Sequence, residues 1–223
     1  MRIHLFVIVF LCLASYINAQ HFEKLDYGMI SDETELYNAA AGGFTSPLIY
    51  SFDLNADGVK ELISFDKAGA CFNVFGYDPA IQDYKVMIHP SVIFPRLGNW
   101  AIITDYNFDG IIDIFTYPQT GPGGFEVWRG YKENSITKFQ NVDLKQGFFN
   151  ILYFQSPSSG KLNIYVSAVD LACLRDIDAD GDMDLLTFNP DGVYLELYKN
   201  TAKEKGYTAD SLLYTRQDLC YGK

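Results

Sequence analysis

One acidic nine-residue pattern occurs three times in this chain, and no other feature constrains the fold as strongly. It runs Asp53-Leu-Asn55-Ala-Asp57-Gly58-Val59-Lys-Glu61, then Asp105-Tyr-Asn107-Phe-Asp109-Gly110-Ile111-Ile-Asp113, then Asp176-Ile-Asp178-Ala-Asp180-Gly181-Asp182-Met-Asp184. The common form is D-x-[DN]-x-D-G-x-x-[DE]. Oxygen side chains at positions 1, 3 and 5 converge only if the backbone curls around a point. Glycine at position 6 permits the curl, because it takes φ > 0 without strain. Carboxylates gathered without a basic partner repel one another unless a hard cation sits among them. Calcium suits such a set, since it accepts six to eight oxygens in flexible geometry.

A single copy reads equally well as an Asx-rich surface turn. Three copies, each acidic at position 9, favour up to three structural calcium ions. The expected ligand sets are Asp53, Asn55, Asp57, Val59 and Glu61; Asp105, Asn107, Asp109, Ile111 and Asp113; and Asp176, Asp178, Asp180, Asp182 and Asp184. The third set is the most acidic and is expected to bind tightest. Asn at position 3 weakens the other two, because affinity follows ligand charge.

The EF-hand shares the opening of this motif but requires a bidentate Glu at position 12 and a helix on either side. Position 12 here is Ser64, Thr116 or Thr187. The flanks are short apolar, β-branched and aromatic runs, such as Leu48–Phe52 before the first loop and Leu62–Phe65 after it. Such runs predict strands, so each loop is a hairpin connection.

The repeat extends past the loop. A glycine turn follows, at Gly69, Gly192 and the longer Gly121-Pro-Gly-Gly124, and then an alternating strand ending in Phe75, Trp128 or Tyr198. Further strand-like stretches, Tyr84–Ile88 and Phe148–Phe154, bring each unit to about four strands. The loops are spaced by 52 and 71 residues, a period that with four short strands predicts propeller-type blades. The strand before each loop is apolar on both faces, as an innermost strand between stacked neighbours would be.

These units resemble FG-GAP/VCBS repeats, the calcium-binding blades of integrin α-chain-like β-propellers. The three loops and the glycine-turn strands behind them carry the likeness, over roughly residues 45–200. It implies an all-β, secreted or surface-attached propeller used in adhesion or in carbohydrate or protein binding. A propeller closes with four to eight blades. Only three repeats are present, around 45–95, 96–165 and 166–223, so the expectation is an open arc.

Residues 1–19 read as a secretory signal peptide, with Arg2, an apolar run from Leu5 to Leu13, and Ile17-Asn-Ala19 before Gln20; residues 20–44 form a lead-in. The run is short for a membrane span. Export agrees with the loops, because extracellular calcium fills weak sites. Three cysteines follow the signal: Cys71, Cys173 and Cys220. The odd number leaves a free thiol or a partner elsewhere. Cys71 and Cys173, on expected strands, read as buried small apolar residues.

The net charge is −11, and the three loops hold eleven acidic residues. An acidic chain argues against nucleic acid or an anionic membrane as partner. Its expected partner is an extracellular protein or carbohydrate. The leading expectation is a non-enzymatic binding module. One alternative is a propeller-scaffold carbohydrate-active lyase or hydrolase, although only His21 and His89 follow the signal and no nucleophile-elbow, zinc or phosphate-loop motif is present. The other is an N-terminal part of a larger surface protein whose further blades complete the ring.

Overall fold

The structure, a computed structural model, describes residues 29–31, 34–36, 38, 41–87 and 90–222. The expected signal segment, most of the lead-in, His21 and His89 lie outside them. A short hairpin of β1 (Met29–Ser31) and β2 (Thr34–Leu36) precedes three larger sheets. The first is an antiparallel meander of β3 (Pro47–Phe52), β4 (Glu61–Asp66), β5 (Cys71–Asp78) and β6 (Asp83–Val86). The second repeats it with β7 (Ala101–Thr104), β8 (Asp113–Thr116), β9 (Glu126–Glu133) and β10 (Ile136–Asn141). The third contains β13 (Cys173–Arg175), β14 (Asp184–Phe188), β15 (Leu195–Asn200) and β16 (Tyr214–Asp218), extended beyond β16 by β11 (Tyr153–Ser156) and β12 (Gly160–Asn163). The described residues are all-β, and none of the sheets closes on itself. No helix among them is long and apolar enough to cross a membrane.

Each acidic loop joins the first and second strands of its sheet, as the flanking runs predict. Period-two alternation gives every sheet two faces of different composition. One face looks towards the preceding sheet in the chain and the other towards the following one. In the first sheet the forward face carries Tyr50, Ile63 and Val74, which register shows to be cross-strand neighbours. Ile63 and Val74 pack against Ile103 and Ile112 of the second unit, while Phe65 packs against Ala101 and Ile114. The forward face of the second sheet carries Ile102, Phe115 and Val127. Phe115 and Val127 pack with Trp100 and Phe125 against Leu185, Tyr198 and Tyr214 of the third sheet. The second sheet is therefore apolar on both faces because it is covered on both.

The first strand of the first sheet lies against that of the second. The Tyr50 hydroxyl donates to the Ala101 carbonyl oxygen at 2.7 Å, and Lys67 Nζ donates to the Val169 carbonyl oxygen at 3.3 Å, just ahead of β13. Leu48 of β3 packs against both the first–second and the second–third clusters.

Connectors attach to the sheet that follows them. Residues 91–93 run parallel to β10, with Ile93 N donating to Thr137 O and Thr137 N to Ser91 O, both at 2.8 Å. Likewise β11 pairs in parallel with β16. Ahead of the first sheet, the Asn38 side chain accepts from Val86 N at 2.9 Å and donates to Tyr84 O at 2.8 Å, along β6. Residues 153–163, placed with the second repeat by spacing alone, thus belong by hydrogen bonding to the third sheet. Glycine in the second turn permits the close approach of this segment: a Cβ at Gly124 would lie 2.8 Å from Asn163 Oδ1, and one at Gly123 2.9 Å from Val166 O.

Cys71 and Cys173 correct their sequence reading. Both are exposed, because each opens a strand on the outward face of an end sheet, where among the described residues no further sheet packs.

Trp100 is fully buried between the second and third sheets, and its indole N–H donates to Ser167 O at 3.0 Å. Trp100→Ala is expected to cost about 3–5 kcal/mol, measured as a lowered urea midpoint at unchanged denaturant slope.

Candidate metal-binding loops

The three loops fold alike because their backbones do. Position 4 has positive φ in each (Ala56 62°, Phe108 58°, Ala179 60°), and so does the glycine at position 6 (87°, 83° and 91°). This double left-handed kink turns successive N–H groups inward. The Asp at position 1 takes two of them. Asp53 accepts from Asp57 N (3.2 Å) and Gly58 N (2.9 Å), Asp105 from Asp109 N and Gly110 N, and Asp176 from Asp180 N and Gly181 N. The Asp at position 5 accepts the N–H of position 7: Asp57 from Val59, Asp109 from Ile111, Asp180 from Asp182. Asn55 and Asn107 donate to the position 5 carboxylate, each at 2.9 Å.

Position 9 acts differently from the rest of the set. Glu61 accepts from Leu54 N at 2.7 Å, closing the loop at its base. Asp113 accepts from Tyr106 N (3.1 Å) with one oxygen and from Gly130 N of β9 (2.8 Å) with the other. Asp184 repeats this with Ile177 N and Asn200 N of β15, both at 3.0 Å. All three carboxylates are buried, and those of Asp113 and Asp184 clasp the loop to the third strand of the sheet as well as facing it.

The expected ligands converge unequally. In the third loop, oxygens of Asp176, Asp178 and Asp184 lie within 4.8 Å of one another, and so do those of Asp178, Asp180 and Glu204. The Asp182 carboxylate is not in either group. It turns to the Lys203 N–H at 3.1 Å, leaving its buried Oδ1 unpartnered. In the first two loops Asn replaces the carboxylate at position 3, and Val59 and Ile111 offer a main-chain carbonyl alone. The first two loops flank a cleft of ≈ 200 Å³, lined by Asp53, Asp105 and Lys132 among others. Lys132 Nζ donates there to Leu54 O at 2.6 Å.

Basic partners are present where the sequence reading assumed none. Lys199 of β15 ion-pairs with Asp178, with Asp180 at 3.5 Å and with Glu204 at 2.5 Å. Arg129 of β9 holds the same place in the second sheet, next to the clasped residue, and reaches Asp109 at 3.9 Å and Asp210 at 3.1 Å. The corresponding residue of β5 is Gly76, and among the described residues no ion pair is made to the first loop. The missed residues are Lys199, Arg129 and Glu204. Aligning the third strands on their paired partners would have found the first two, since Trp128 and Tyr198 face Ile114 and Leu185. Glu204 has no counterpart in the repeat.

Electrostatics follow from these contacts. Burial pushes the Asp113 carboxyl up to about 7 and that of Asp182 up to about 6, against opposing backbone N–H bonds. Burial also raises Asp184. The Gly58 N–H holds Asp53 below the usual carboxylate range, and the Lys199 ammonium does the same for Asp178.

No protein-family model matches this chain, and no match was found among curated proteins or among solved structures.

The ordinary Asp value of 3.8 lies below the folded Asp113 value of about 7. Between those pH values the folded chain holds a proton that the unfolded chain has lost, so the Asp113 contribution to stability falls as pH rises through that window. In chelator, the loss of urea midpoint from pH 5 to pH 8 is expected to be smaller in Asp113→Asn than in the wild type.

The loop glycines and the clasp glycine should also differ. Gly110 has open space around it, so Gly110→Ala should cost only its backbone strain, about 1–2 kcal/mol. A Cβ at Gly130 would lie 2.1 Å from Ile112 O, so Gly130→Ala should be the more damaging change, read by thermal melts.

Proposed function

We propose that this chain is a calcium-clamped repeat module of the FG-GAP/VCBS kind, its sheets stacked as propeller-type blades. It acts outside the cell by binding a protein or carbohydrate rather than by catalysis. The observation that carries the reading is the shared conformation of the three loops, each turning its position 1 and 5 carboxylates around the same double kink. Calcium in this reading is structural. It binds the folded loop better than the unfolded chain and stabilises the fold by linkage. Three ions would also reduce the net charge from −11 to −5.

The proposal adjusts the expected order of affinity. In the third loop an entering ion meets the Lys199 ammonium among its ligands, so the most acidic loop is also the one already partly neutralised. The catalytic alternative asks for a displaced carboxyl outside the loops. Glu126 is raised by burial, but it is bonded to Asn141 of the adjoining strand, which is a structural use.

Calcium titration by calorimetry, with thermal melts in calcium and in excess chelator, tests the proposal. Melting is expected to fall in chelator; unchanged melting would sink the structural role. Asp176→Ala with Asp180→Ala should lose one bound ion. Lys199→Met should tighten the third-loop site several-fold, since it removes a competing charge at ~4 Å or less.

A further inference from the structure

The two internal interfaces of this chain are built to one rule, and among the described residues the rule leaves two faces without a facing sheet. In each, the forward face of one sheet receives the backward face of the next. The backward face is made of the same repeat positions each time: Ala101, Ile114 and Trp128 in the second sheet, Ala172, Leu185 and Tyr198 in the third. Ala101, Ile114 and Leu185 are fully buried there. The matching residues of the first sheet are Ile49, Leu62 and Phe75, on one face by register, where Ile49 opposes Ser64 and Leu62 opposes Phe75, and among the described residues no sheet covers them. Ile49 is 63% exposed.

A second observation marks this face as an interface. Ser64 occupies the position of Thr116 and Thr187. Those hydroxyls donate to Trp100 O at 2.7 Å and Tyr165 O at 3.3 Å. The Ser64 hydroxyl is buried yet has no partner among the described residues, and it lines a cleft of ≈ 270 Å³ with Ile49, Leu62, Phe75 and Phe44.

The face that fits is a forward face, and among the described residues one is spare. It belongs to the third sheet, where Cys173, Leu186 and Leu197 are cross-strand neighbours and Phe188 lies beside Leu195. Phe188 is 38% exposed and Cys173 is exposed. An apolar backward face and an apolar forward face on opposite ends of one chain form a heterologous pair.

We propose that these two faces dock between copies of this chain, head to tail, and that two copies close a ring of six sheets. Six lies within the four to eight at which stacked blades close. The inference rests on the blade-stack part of the function proposed above and is independent of calcium.

Ile49→Asp and Phe188→Asp test it, since both side chains are exposed and neither change should disturb the single chain. Sedimentation velocity of the full chain over a concentration series is expected to show a species of twice the chain mass. Either substitution should weaken it roughly tenfold or more, because a charge is buried against apolar surface. Mixing the two variants should restore association in part, since the mixed pair keeps one intact backward–forward contact. Persistence of the dimer in Phe188→Asp with its loss in Ile49→Asp would mean two backward faces pair, and would overturn the head-to-tail arrangement. A wild-type chain that stays monomeric throughout, or that grows without limit, would overturn closure at two copies. Running the series in calcium and in chelator separates the ideas: a dimer that persists while the calcium-dependent melt is absent would fail the calcium reading alone.

Discussion

The buried carboxylate at position 9 is the contact on which the second and third units depend. Asp113 and Asp184 each hold two backbone N–H groups that are far apart in sequence, one inside the loop and one on the third strand. A hydrogen bond of this kind stabilises by about 0.5–3 kcal/mol, the upper end only where the carboxyl is ionised, and losing a buried one leaves an orphaned amide. The clasp therefore ties the turn between the first two strands to the strand that lies beyond them. It sets the depth of the loop against the sheet, and with it where the position 1 and 5 carboxylates meet. In the second sheet the strand approaches the Ile112 carbonyl too closely for any Cβ at 130, whereas the third sheet makes the same clasp to Asn200.

Given that unit, stacking has a direction. Each sheet has a backward and a forward face of distinct composition, and connectors attach to the outer strand of the sheet that follows. The parallel pairing of residues 91–93 with β10 and of β11 with β16 links adjacent units through backbone hydrogen bonds as well as through side chains. The cores lie between sheets, not within them. This is why Trp100, Phe115 and Phe125 are buried with residues of the third sheet, and why a single four-stranded meander could not bury both of its faces.

Much of this was legible in the chain. The glycine at position 6 of each loop has the positive φ expected of it, and the strands before and after each loop fall where the apolar runs placed them. Local geometry is written locally: a left-handed kink needs a particular residue at a particular offset. The turn after β4 was less legible. Its left-handed residue is Ala70 (φ 48°), and Gly69 beside it is not left-handed. The electrostatics of the loops were hidden further. Lys199 and Arg129 sit on strands about twenty residues away, so their approach to Asp178, Asp180 and Asp109 depends on pairing between strands. Asp182 was counted with the loop by spacing, yet its carboxylate turns to Lys203 N.

The sequence by itself determined the unit: strand, acidic loop, strand, turn, strand, repeated three times, with a kink that glycine makes cheap. Tertiary structure decided which carboxylates face one another, which are neutralised by a cation from another strand, and which connector belongs to which sheet. It also decided which apolar faces are covered. The physical reason is range. Backbone conformation at a turn is set by residues a few bonds apart, whereas charge pairing and burial depend on strands that meet only after the sheets have stacked.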